Sequence, residues 1–142
     1  MDDDEVDVLL ADLYDHPCEW QLLLPRRYAA FGQRVMLVIV TDPLKSPPPP
    51  ADPKELNLAR SIMRGLRSVV DAAVEKYLAH WRPHGGDPAS HAREPRIEIW
   101  RETLANERPD RWRFFFGHDE WEDGCTCIVF DGLQPVETWS GD

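Results

Sequence analysis

Residues 52–81 read DPKELNLARSIMRGLRSVVDAAVEKYLAHW, and the fold class turns on this stretch. Asp52 stands where a helix N-cap belongs, Pro53 suits the first helical position, and Glu55 is placed to reach back as in a capping box. Behind them Leu56, Ala59, Met63, Leu66, Val70, Ala73 and Tyr77 recur at alternating spacings of three and four, the period of one helix face. Ile62, Val69, Val74, Leu78 and Trp81 widen that face, so the spacing predicts one long helix over 53–81. Pro83 ends it, with Gly85-Gly86 beyond. A helix of 29 residues is about 43 Å long, more than the diameter of a domain whose radius of gyration is about 14–15 Å. It must therefore span the domain, overhang it or bend. Gly65 is the expected place for a bend or a close backbone contact.

On the N-terminal side, Trp20 to Leu24 and Arg34 to Thr41 read as strands. The run Val35-Met36-Leu37-Val38-Ile39-Val40 has no alternation, as expected of an inner strand covered on both faces. Residues 42–52, with Pro47 to Pro50, form a stiff Pro-rich connector. On the C-terminal side, Arg82 to Arg96 is broken by Pro and Gly and reads as a loop. The period then changes to two: strands are expected at Arg96–Leu104, Arg111–Gly117, Cys125–Phe130 and Leu133–Trp139, with a hairpin at Asp131-Gly132. Residues 1–16 form an acidic segment in which Val6, Leu9, Leu10 and Leu13 suggest a short helix. The expectation is a single α+β domain over 1–142: a mainly antiparallel sheet of five to six strands, the long helix on one face, and a β-meander over 96–139.

The 142 residues carry a formal net charge of −10, unevenly placed. Residues 1–15 hold seven acids and residues 118–142 seven more, with no Lys or Arg in either. All 16 basic residues lie between, against 12 acids, so the middle is +4. A pI near 4.9 argues against nucleic acid as a general partner, since phosphate contacts need a basic footprint. The acidic ends suit a basic protein partner, or simply keep the chain solvated. No apolar run approaches the roughly 20 residues that cross a bilayer. The start Met1-Asp2-Asp3-Asp4-Glu5 is the reverse of a basic signal peptide, and three cysteines make no disulfide framework. A reducing, cytoplasmic setting follows as the expectation.

The loop His118-Asp119-Glu120-Trp121-Glu122-Asp123-Gly124 packs four carboxylates around a Trp. Carboxylates take Arg in bidentate fashion and an exposed Trp supplies contact area, so Asp119, Glu120, Trp121, Glu122 and Asp123 are the candidate binding residues. A solvated turn whose Trp tucks back over the sheet is the alternative reading. A second class of function, a small hydrolase or metal protein, would draw on His84, His91, His118 and Cys125 or Cys127. Cys125 and Cys127 sit two apart, on one face of a strand, and packing in a core is the preferred reading of them, since free cysteine is among the most buried residue types. No serine has the context of a nucleophile turn and no Gly-rich phosphate loop is present, so no catalytic residue, metal or cofactor is assigned. Arg60, Arg64 and Arg67 share a helix face continued by Asp71 and Glu75, which reads first as a solvated face with local ion pairs and could also dock an acidic partner or the chain's own acidic ends. A third reading is a homodimer through a sheet edge or an exposed Trp.

Cys18-Glu19-Trp20 in a first strand, an apolar strand, a Pro-rich connector and a long helix ending near Tyr77 and Trp81 come in that order. The loop Asp119-Glu120-Trp121-Glu122-Asp123-Gly124 and the hairpin Val129-Phe130-Asp131-Gly132 follow. Over residues 18–139 this arrangement resembles a group of small, uncharacterised bacterial α+β domains that includes immunity-like proteins. The resemblance implies a cytoplasmic, non-catalytic module that acts by binding another protein, in an immunity-like or regulatory role.

Overall fold

The acidic first turn of the chain sets the first element. Asp2 caps it, accepting a hydrogen bond from the Glu5 backbone N–H at 2.9 Å, and Asp3, Asp4 and Glu5 sit at the positive end of the helix dipole. The computed structural model describes residues 1–28, 30–119 and 121–141, and the side chains of all of these except Glu122 and Asp123. In chain order the elements are α1 (Asp3–Leu10), β1 (Tyr14–Asp15), β2 (Trp20–Tyr28), β3 (Gln33–Val40), α2 (Pro53–Arg64) and α3 (Leu66–Trp81). A 3-10 turn (Arg82–His84), α4 (Pro88–His91), β4 (Ala92–Trp100), α5 (Arg101–Asn106), β5 (Arg111–His118), β6 (Trp121–Asp131) and β7 (Gln134–Gly141) complete them.

The strands form one sheet in sequence order, β1 to β7, and every neighbouring pair is antiparallel except β3–β4. That parallel pair needs a long crossover, which α2 and α3 supply. The α+β class and the mainly antiparallel sheet are as expected. The strand count is seven, above the expected five to six: β1 adds a two-residue edge pairing onto β2, too short to leave a periodic signal. Val35, Leu37, Val38, Ile39 and Val40 are all buried in β3, an inner strand with apolar residues on both faces.

One helix over 53–81 is not what forms. The Asp52 capping box starts α2 as expected, but the helix breaks at Gly65 (φ −101°, ψ 24°) into segments of 12 and 16 residues. A Cβ at Gly65 would stand 3.1 Å from Leu133 Cδ1, so the break lies where the β6–β7 turn presses on the helix. The expected loop over 82–96 is also shorter, because β4 begins at Ala92. The strand expected to run to Leu104 ends at Trp100, where Thr103 and Leu104 turn inward on α5. The hairpin turn is Gly132-Leu133, with Asp131 paired to Gln134. Gly132 at φ +59° occupies the first turn position, which favours glycine.

The core lies between the helices and one sheet face. Leu37, Ile97, Ile99, Phe114, Phe116, Ile128 and Phe130 point from the sheet, and Ala59, Ile62, Met63, Val69 and Tyr77 meet them from α2 and α3. Trp112 stacks on Phe130 at 4.3 Å and donates its indole N–H to the Gly132 carbonyl at 2.7 Å. α3 lies lengthwise on β6 and β7: its start at Gly65 meets Leu133, and its end at Trp81 donates to Thr126 Oγ1 at 2.8 Å. None of the described helices is long and apolar enough to cross a membrane.

Candidate functional site

The loop expected over 118–124 is shorter: β5 runs to His118 and β6 begins at Trp121, so residues 121–124 lie in β6, and this acidic turn sits at the end of the sheet where α3 stops. Of its candidate residues, Glu120 lies outside the described residues, as do the side chains of Glu122 and Asp123. Asp119 and Trp121 are described. The Asp119 backbone N–H donates to the His91 carbonyl at 3.1 Å. Its carboxylate lies 2.8 Å from His91 Nδ1 through one oxygen and accepts from Arg93 Nη2 at 2.8 Å through the other. Loss of water acts to raise the Asp119 carboxyl, but the His91 hydrogen bond and the Arg93 charge outweigh it and hold the group below the usual carboxylate range. Trp121 is half-buried and its ring lies over Gly124, where a Cβ would overlap it. Gly124 is thus required by a close approach of ring to backbone.

Two features of β4 deliver Arg93 to this loop. The pairing of β4 with β5 shifts between Arg93 and Arg96, a bulge in which Glu94 takes a left-handed φ of +50°. Gln33 spans that bulge, donating to the Ala92 carbonyl at 2.9 Å and accepting from the Glu94 N–H at 3.0 Å. Gly117 faces Arg93 across the strands, and a Cβ there would lie 3.3 Å from the Arg93 carbonyl oxygen.

Beside the loop, Trp81, His84, His91 and His118 line a cavity of about 300 Å³ closed by Gly85, Gly86 and Pro88. The His91 and His118 rings stack at 5.3 Å, and Trp81 lies 5.6 Å from His118 and 5.2 Å from His84. Tyr77 fixes the chain that shapes this corner, donating its hydroxyl to the Pro88 carbonyl at 2.9 Å. Burial pushes that phenol up to about 12, so it remains a donor throughout the physiological range.

The structure brings together the three histidines of the hydrolase or metal reading; Cys125 lines a neighbouring cleft with His118 and Asp119, while Cys127 is fully buried. Thr126 points to the helix face, where it takes the Trp81 indole N–H, so Cys125 and Cys127 on either side of it point to the opposite face. Burial pushes the Cys127 thiol up to about 12, so without a bound metal it stays protonated and a poor nucleophile near neutral pH. Among the described residues no group of three or more His, Cys, Asp or Glu side chains is placed to hold a metal ion.

The N-terminal acids and Asp119 lie at opposite ends of α3. Asp3 pairs with Arg64 and Asp7 with Arg60 (2.9 Å), which fastens α1 to α2 near the start of α3. Asp119 lies at the other end of α3, a helix about 24 Å long. The arginine stripe expected on the helix therefore serves, at Arg60 and Arg64, the chain's own N-terminus. Asp131 is likewise held by Arg111 at 2.9 Å and 3.2 Å. Sequence reasoning missed His91 and Arg93 as the residues that fix the loop. They are 28 and 26 positions from Asp119, and only the β4–β5 pairing brings them near. Comparison with family models, with curated proteins and with solved structures finds no match to this chain.

Proposed function

We propose that the chain is a non-catalytic protein-binding module, immunity-like or regulatory in role, that takes a basic partner on its β5–β6 loop. The observation that supports this reading best is the anchoring of that loop: Asp119 is tied by backbone and side chain to His91 and by side chain to Arg93, and Trp121 is seated on Gly124. A loop held in place loses less conformational freedom on docking, so more of its contact energy becomes affinity. Asp119 acts as the positioning residue. Glu120, Trp121, Glu122 and Asp123 are the contacts, the carboxylates steering and gripping Arg or Lys of the partner.

The test leaves Asp119 intact. Basic proteins captured from the native extract at low salt, and released at about 0.5 M salt where screening acts within a few Å, are identified and purified. Each is titrated by calorimetry against the wild type and against the triple variant Glu120→Lys, Glu122→Lys, Asp123→Lys. The reading expects at least a tenfold loss of affinity and a flatter salt dependence in the variant. Unchanged binding of every identified partner refutes it.

A second reading, a small hydrolase, draws on the Asp119–His91 pair beside the cavity of Trp81, His84 and His118, because a carboxylate on one ring nitrogen orients an imidazole as a base. Hydrolysis of carboxylic or phosphate esters abolished by His91→Asn would favour it over the binding module.

A further inference from the structure

A cleft between the end of β2 and the outer side of α3 has no part in the site above. Its volume is about 550 Å³, within the range of small-molecule sites. Its floor is apolar: Val70, Val74 and Leu78, at steps of four residues along α3, of which Val74 and Leu78 are half-buried. Its rim carries Arg26, Arg27, Arg67 and Arg82.

These arginines stand apart from the rest. The chain has thirteen, and eight of them (60, 64, 93, 96, 101, 108, 111 and 113) form ion pairs with carboxylates. The other five are Arg34, which donates to the Leu24 carbonyl at 2.8 Å, and the four on this rim, of which Arg27 donates to the Gly32 carbonyl at 3.3 Å. Among the described residues none of the four has an ion pair, although acids outnumber bases by ten in the whole chain. Asp71 and Glu75 also line the cleft, so four guanidiniums face two carboxylates there. The Tyr28 hydroxyl adds a hydrogen-bonding group at the same rim. Burial raises the Tyr28 phenol, which keeps it protonated and able to donate.

We propose that this cleft binds a small organic anion with an apolar body: a carboxylate or phosphate held by two or more of Arg26, Arg27, Arg67 and Arg82, and an aliphatic or aromatic portion laid on Val70, Val74 and Leu78. Guanidinium forks fit both anion types in bidentate fashion, and the apolar floor separates such a ligand from a bare ion. The site is distinct from the β5–β6 loop and stands independently of the function proposed for that loop.

Five probes test it on the isotopically labelled full chain by amide-shift titration: octanoate, phenyl phosphate, 1-octanol, inorganic phosphate and a hexaglutamate peptide. Octanoate is expected to bind saturably and shift the amides of residues 26–28 and 66–78. Octanol and phosphate are each expected to bind at least about tenfold more weakly, since each lacks half of the recognition. In the variant Arg67→Gln, Arg82→Gln, both exposed positions, octanoate should lose about tenfold or more in affinity while octanol is unchanged. A phenyl phosphate arm distinguishes the two anion types within the same chemistry. Octanol binding as tightly as octanoate overturns the proposal, as does phosphate alone doing so. Hexaglutamate binding where octanoate does not would reassign the cleft to an acidic protein segment. No saturable binding by about 10 mM octanoate refutes it outright.

Discussion

Replacing Arg101 with Ala tests how the first turn of α2 is fastened to the sheet. Glu55 is 1% exposed, and its Oε1 accepts from Arg101 Nε at 3.0 Å and Nη2 at 2.7 Å. The same guanidinium donates to the Pro50 carbonyl at 3.0 Å, so one side chain ties the Pro-rich connector, the start of α2 and the β4–α5 junction. Removing it leaves a buried carboxylate whose described partner is the Asp52 N–H at 3.4 Å. Breaking a fully buried pair costs about 3–5 kcal/mol. The Arg101 side chain is 35% exposed, so water can enter the gap, and the expected cost is nearer 2–3 kcal/mol at pH 7. In urea the midpoint should fall by about 1 M for a slope of 2–3 kcal/mol per M. The pH dependence follows in sign. Burial first, then the Asp52 carboxyl beside it, already raises the Glu55 carboxyl above its ordinary value despite Arg101. A raised acid stabilises the fold below its unfolded value and loses that contribution as pH climbs through the folded one. Without Arg101 the rise is larger, so the deficit should be small near pH 4.5 and grow toward pH 7. Glu55→Gln in the Arg101→Ala background should recover part of it. A cost under about 0.5 kcal/mol at pH 7, or one equal at both pH values, would refute the reasoning.

Two further outcomes are expected. Gly124→Ala places a methyl group in the Trp121 ring, so the ring must leave its seat, at a cost of about 1–3 kcal/mol. The indole N–H resonance of Trp121 should move while that of buried Trp112 stays, and partner affinity at the loop should fall with it. Cys127, fully buried with its thiol pushed up to about 12, should react with a thiol reagent at pH 8 at least about a hundredfold more slowly in the native protein than in urea. Mass spectrometry of the labelled peptides reads this directly, and equal rates would contradict the burial of that thiol.

Local chemistry made much of the fold legible. The Asp52 cap with Pro53 and Glu55 starts a helix through bonds made within three residues, and the alternation of Trp112, Phe114 and Phe116 places their buried face without reference to the rest of the chain. The apolar run of β3 likewise reads as an inner strand, because burial on both faces removes the usual alternation. The break at Gly65 was visible as the weakest residue of a good helix, but Leu133, which presses on it, is 68 positions away and enters only when the β6–β7 turn folds back. β1 escaped notice because two residues have no period.

The candidate site divides in the same way. The loop 118–124 could be picked out by its composition, since four carboxylates around a Trp are conspicuous in any alignment of residue types along one chain. That Asp119 is held by His91 and Arg93 could not, because the bulge at Glu94 and the bridge from Gln33 aim those side chains through pairings between four separate segments. The cleft on α3 is a sharper case. Arg60, Arg64 and Arg67 are indistinguishable as a helical stripe, yet α1 docks on the first two and Arg67 joins Arg26, Arg27 and Arg82 across a gap in the chain. Periodicity and capping act over a few residues and are written in the sequence itself. The pairing of charges depends on which segments fold against one another, and that is decided by the burial of the apolar faces between helix and sheet.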